Sequence, residues 1–230
     1  MAAVPAQETI TAWALFSALG GSVIGAILGG TINYVLQRAA RAESKKQRDA
    51  DRREVRTALA YSFLFKMIRI VSSLKHLGNT VRSSLDEAAA KGYKGSPWRV
   101  VLPVVNPPDA VKFTSDEMGM LLSLDDKTFN AVAAFDELHN GTTAIFEAYS
   151  KRRSAIMEKF GAKMEGNIGS TVMTEEDLMW LAPREVELNG LVDAMLERTE
   201  QDYEETVAGL KAVHALFVKE FDIKKTLEFK

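Results

Sequence analysis

Hydrophobic positions along this chain fall into two regimes. Between Glu8 and Arg38 lies a 29-residue interval with no charged side chain, holding Ile10, Leu15, Phe16, Leu19, Val23, Ile24, Ile27, Leu28, Ile32, Val35 and Leu36. From Leu59 onward apolar residues instead step by three and four: Leu59, Phe63, Met67, Ile70, Leu74, Leu77, Val81, Leu85 and Ala88, with Lys66, Arg69, Lys75 and Arg82 off the stripe. A stretch that is uncharged on every face predicts a helix surrounded by lipid; a stripe predicts a helix with one face on a core.

The first regime is long enough to cross a bilayer, since about 20 apolar residues at ~1.5 Å rise each span a hydrocarbon core of about 30 Å. Eleven strong hydrophobes contribute on the order of −3 to −7 kcal/mol to insertion before the small and polar residues subtract. Trp13 and Tyr34 stand 21 positions apart, near the helical separation of the two interfaces, and Arg38 and Arg41 follow as cationic anchors. A cleaved signal peptide fits poorly, because residues 1–9 contain no Lys or Arg and the apolar stretch exceeds the usual 7 to 15 residues or so. A soluble core helix of this kind would need more protein around it than 230 residues provide. The expectation is a short tail at 1–9, a transmembrane helix at 10–37 and a charged helical connector at 38–56.

The connector carries eight cations against four acids, a net +4, whereas the tail offers only Glu8. The positive-inside rule then places the tail outside and residues 57–230 in the cytoplasm, with the plasma membrane as the site, or the inner membrane in a bacterium. With −2 overall, −1 before the span and +4 in the connector, residues 57–230 carry −5. Acids interleaved with the cations and the absence of stacking aromatics argue against nucleic acid as a partner; anionic lipid headgroups suit these cations better.

One face of the span repeats small residues every fourth position: Ser17, Gly21, Gly25 and Gly29, with the polar Asn33 next in line. Such a face lets two helix backbones approach closely, which predicts self-association into a homo-oligomer.

Beyond the connector three long amphipathic stripes are separated by breakers. The first helix runs to about Lys91. The stretch from Gly92 to Pro108 contains Gly92, Gly95, Pro97, Pro103, Pro107 and Pro108, so it is expected to lie extended over the core, burying Trp98, Val101 and Val104 or their neighbours. Thr114 or Ser115 caps a short helix, and Asp125 or Asp126 starts a long one to about Phe160. After Gly161, Gly166 and Gly169, Thr174 caps a last helix ending near Phe221, with Pro183 marking a kink or a new start. No strand is convincing. The fold class expected is all-α: a single N-terminal transmembrane helix continuing into an antiparallel cytoplasmic helical bundle.

Chemistry is sparse. The absence of Cys excludes thiol nucleophiles, disulfides and Cys-ligated metals. The three histidines, His76, His139 and His214, fall one on each long helix without the three- or four-residue spacing of helical metal ligands, so neither a metal nor a cofactor is expected. No P-loop, dinucleotide fingerprint or nucleophile elbow occurs. The pattern points to a non-enzymatic, membrane-anchored interaction or scaffold protein with a cytoplasmic protein partner. The alternative is a membrane-perturbing effector, which the sparse polar lining of Ser17, Ser22, Thr31 and Asn33 supports less well.

Overall fold

The structure is a computed structural model that describes residues 7–160, 163–165, 168–170 and 172–223, with side chains described at 34, 36–160 and 172–223. The described chain is all-α apart from one short hairpin. Helix α1 covers Gln7–Ala90, α2 Ser115–Leu124, α3 Asp126–Val132, α4 Phe135–Phe160 and α5 Glu175–Phe221. The hairpin pairs β1 (Lys163–Glu165) antiparallel with β2 (Ile168–Ser170), Met164 opposite Gly169. These three-residue strands were not legible in the apolar pattern, which is too short there to show alternation.

The chain divides into two compact units, Met1–Val55 and Arg56–Lys230. In the first, helical backbone begins at Gln7, and every described side chain, from Tyr34 through Arg38 and Arg41 to Val55, is exposed. The side chains of Trp13, Ser17, Gly21, Gly25, Gly29 and Asn33 lie outside the described residues, as does the apolar interval around them. Among the described residues, one helical stretch, Leu36–Ala90, is long and apolar enough to cross a membrane by length and composition. Its apolar stripe between Ala60 and Val81 is buried in the protein.

The second unit is a bundle in which α5 runs antiparallel to both α1 and α4. Gly78 of α1 meets Thr199 of α5, and Phe63 meets Phe217. On the other side Phe135 of α4 meets Gly209, Arg152 pairs with Glu187 at 2.7 Å, and Lys159 lies 3.6 Å from Asp177. Since α1 and α4 oppose the same helix, they run in the same direction, which is why the chain between them must return along the length of the bundle. Of the histidines on these two helices, His76 is exposed and His139 fully buried.

That return is made by an extended strap, residues 101–113, preceded by the 3-10 turn Pro97–Arg99. It descends from Tyr149, at Val101, to Asp136, at Phe113, about 20 Å of the α4 axis at ~1.5 Å per residue, and takes the place a fourth helix would fill. Pro103, Pro107 and Pro108 keep it out of helix. An extended chain has no internal hydrogen bonds, so its buried polar groups need outside partners. Helix α4 supplies them. Asn140 grips Val111 twice, accepting from its N–H at 2.9 Å and donating to its carbonyl at 2.7 Å. Asp136 accepts from Phe113 N–H at 3.0 Å. Tyr149 reaches the Trp98 and Val101 carbonyls, and buried Arg153 donates to those of Trp98 and Arg99.

Local signals set the helix ends. Gly92, at φ +73°, closes α1 in the left-handed conformation that only glycine adopts without strain. Thr114 with Glu117, and Thr174 with Asp177, form reciprocal capping boxes, and Asp125 caps α3 through Thr128. One expectation is corrected and another narrowed. The single helix expected from Asp125 to Phe160 is broken at Ala133–Ala134, where Val132 and Phe135 both turn toward Gly209 of α5. Of the two readings of Pro183, a kink or a new start, the new start is removed: α5 is one helix through it.

Candidate functional site

Two apolar clusters fill the folded unit. One joins Ala60–Leu74 of α1 to Val111, Phe113, Met120 and Leu121 and to Leu210, Val213 and Phe217 of α5. The other joins Leu77 and Val81 to Trp98, Val101, Phe146, Tyr149, Leu188, Val192 and Met195. Between them α4 and α5 bury polar side chains instead: His139, Thr142 and Thr143 from one, Thr199, Asp202 and Thr206 from the other.

Most of this polar waist is satisfied locally. Thr143, Thr199 and Thr206 each donate to the carbonyl four residues earlier on their own helix, at 3.0, 2.6 and 2.7 Å. Thr142 differs. Its hydroxyl crosses between helices and donates to Asp202 Oδ2 at 2.8 Å. His139 lies 3.1 Å through Nδ1 from Asn140 Oδ1, the atom that also holds the strap, while its Nε2 has no partner among the described residues. Burial pushes the His139 imidazole below its ordinary pKa, the Asn140 contact opposes this, and the Arg69 charge adds to it.

The waist opens to solvent in two clefts. The larger, about 280 Å³, lies between α4 and α5, with Asp202 and Thr142 on its floor and Glu137, Leu138, Gly141 and Arg198 around them. The second, about 220 Å³, lies between α1 and α5 around Gly78, Asn79, Arg82 and Thr199. Glu117 forms a separate polar knot under α2. It is 1% exposed and receives Ser62 Oγ at 2.6 Å, Lys66 Nζ at 2.7 Å and the Thr114 N–H at 2.7 Å. Burial raises its pKa, and the three donors outweigh burial, holding the carboxyl below its usual range.

Of the residues marked from the sequence, Tyr34, Arg38 and Arg41 are exposed in the first unit, and the Gly-rich face lies outside the described side chains. Among the described residues no group of three or more His, Asp or Glu side chains is placed to hold a metal ion. Sequence reasoning missed Asp202 and Thr206, although a signal was present: Leu188, Val192, Met195, Thr199, Asp202, Thr206, Leu210, Val213 and Phe217 step by four and three, so both polar residues sit on the buried stripe. Compared with known proteins, the chain matches no family model, no curated protein and no solved structure.

Proposed function

We propose that this protein is a single-pass, membrane-anchored helical interaction module without enzymatic activity. Residues 10–37 cross the bilayer, the N-terminal residues lie outside, and the bundle faces a cytoplasmic protein partner. The observation that supports this reading most is the continuity of α1: one 84-residue helix runs from the uncharged interval through the fully exposed connector into the folded unit. A helix whose surface changes from uncharged to bipolar to amphipathic suits three surroundings in turn: lipid, water and protein core. The self-association face is Ser17, Gly21, Gly25, Gly29 and Asn33, by the small-residue spacing.

Because the chain contains no Cys, single cysteines can be introduced as clean topology reporters. In intact cells a membrane-impermeant maleimide is expected to label Ala3→Cys but not Ser123→Cys, with the protein in the pellet after an alkaline carbonate wash. Recovery in the carbonate supernatant would end the anchored reading, and labelling at Ser123→Cys alone would reverse the orientation. Gly25→Ile is expected to abolish crosslinked dimers in membranes; dimers that survive replacement of Gly21, Gly25 and Gly29 together would end the association face.

A further inference from the structure

We infer that the cleft between α4 and α5 is a binding site for an alkylammonium or alkylguanidinium group, with Asp202 as its anionic floor. This goes beyond the membrane-anchored module and does not rest on it, since every residue involved lies in the unit Arg56–Lys230.

Asp202 is 3% exposed, yet poorly compensated for a carboxylate withdrawn from water. Oδ2 accepts one neutral hydroxyl, from Thr142 at 2.8 Å. Among the described residues Oδ1 accepts no hydrogen bond. Its ion pair with Arg198 Nη1 is long, 3.9 Å, and that guanidinium is half-exposed at the rim. A carboxylate oxygen that faces the cleft with open acceptor capacity gains most from a donor that also carries positive charge. Glu137 adds a second negative charge, so even with Arg198 the cleft has a formal charge of −1.

The walls select what carries the cation. Leu138 and Ile145 offer apolar surface to a methylene stem. Gly141 leaves the space open, because a Cβ there would meet no atom within 4 Å. The volume, about 280 Å³, lies at the small end of ligand pockets, suited to one extended amine rather than to a nucleotide-sized cofactor. The cation arrives as a free diamine or guanidine, or as a lysine or arginine side chain of a partner protein. Both present the same chemistry to Asp202.

The test is thermal unfolding of the full-length protein in detergent at low salt. The probes are agmatine, a capped Gly-Lys-Gly peptide and the uncharged 1,5-pentanediol. Agmatine at about ten times its Kd is expected to raise the midpoint by about 3–5 °C, and the diol to leave it unchanged. Asp202→Asn keeps an acceptor for Thr142 and removes the charge; Gly141→Leu keeps Asp202 and fills the cleft. Both are expected to unfold cooperatively with no response to agmatine. A response to the peptide at lower concentration than to agmatine assigns the site to a partner's basic side chain, and the reverse order assigns it to a free amine. Equal responses in wild type and in both variants, a rise with the diol, or no rise with either cation overturns the inference.

Discussion

What a helical glycine tolerates depends on what faces it, and three glycines of the bundle face different things. A Cβ on Gly190 would meet nothing within 4 Å; on Gly78 it would lie 3.1 Å from Thr199 Oγ1; on Gly209 it would fall 2.3 Å from the Phe135 ring and 3.0 Å from Val132 Cγ1. Gly190→Ala is therefore expected to stabilise by about 0.5–1 kcal/mol, through lower unfolded-chain entropy alone. Gly209→Ala is expected to destabilise by about 1–3 kcal/mol, because the flat ring must move within a packed core. Gly78→Ala falls between them, since Thr199 can shift by a few tenths of an ångström. Urea midpoints of the three variants check the order; a Gly209→Ala protein as stable as Gly190→Ala would show that Phe135 does not press on α5. Nothing in the sequence separates these glycines, because what faces each comes from another helix.

At the scale of elements the strap is the least regular part of the bundle and depends on single side chains. Asn140 satisfies both backbone groups of Val111, which is 3% exposed. Asn140→Ala leaves a buried N–H and a buried carbonyl without partners and is expected to cost about 2–4 kcal/mol. Amide exchange at Val111 is the direct readout: it should accelerate in Asn140→Ala, and unchanged protection would mean that the strap is held elsewhere. The caps and stripes of the helices were legible in sequence because they depend on residues three or four apart: Thr114 with Glu117, Thr174 with Asp177, and the α1 stripe from Phe63 to Val81. The break at Ala133–Ala134 was not, since no glycine or proline marks it and its cause lies across the bundle at Gly209. At Pro183 the sequence left a kink and a new start open, and the continuity of α5 removes the new start.

Two buried groups on different helices, His139 and Glu117, tie the stability of the folded unit to pH. His139 has a folded pKa below its ordinary value, so its neutral form stabilises fully above about pH 6.5, and that stability is lost as pH falls toward the depressed folded value. Glu117 has a folded pKa below the ordinary carboxylate value of about 4.3; its contribution holds above that value and is lost as pH falls through the folded one. Denaturation midpoints are therefore expected to fall in two stages on acidification. His139→Phe should flatten the first stage. Glu117→Gln should reduce the second, which the depressed carboxyls of Asp125, Asp177 and Glu185 share, and cost about 2–4 kcal/mol at neutral pH by leaving Lys66 without its partner. A first stage that persists in His139→Phe would assign it to another group. The sequence by itself determined the all-α class, the amphipathic helices, their caps and that an extended segment follows α1, expected at 92–108 and found at 101–113 after a 3-10 turn, because periodicity, capping and proline chemistry act within a turn or two of chain. Only the tertiary structure decided that α1 and α4 run in the same direction, that the strap fills a fourth helix's place, and that Asp202, Thr142 and His139 meet in a polar waist. Those depend on which faces of distant segments pack together, and a face's partner is not written in its own spacing.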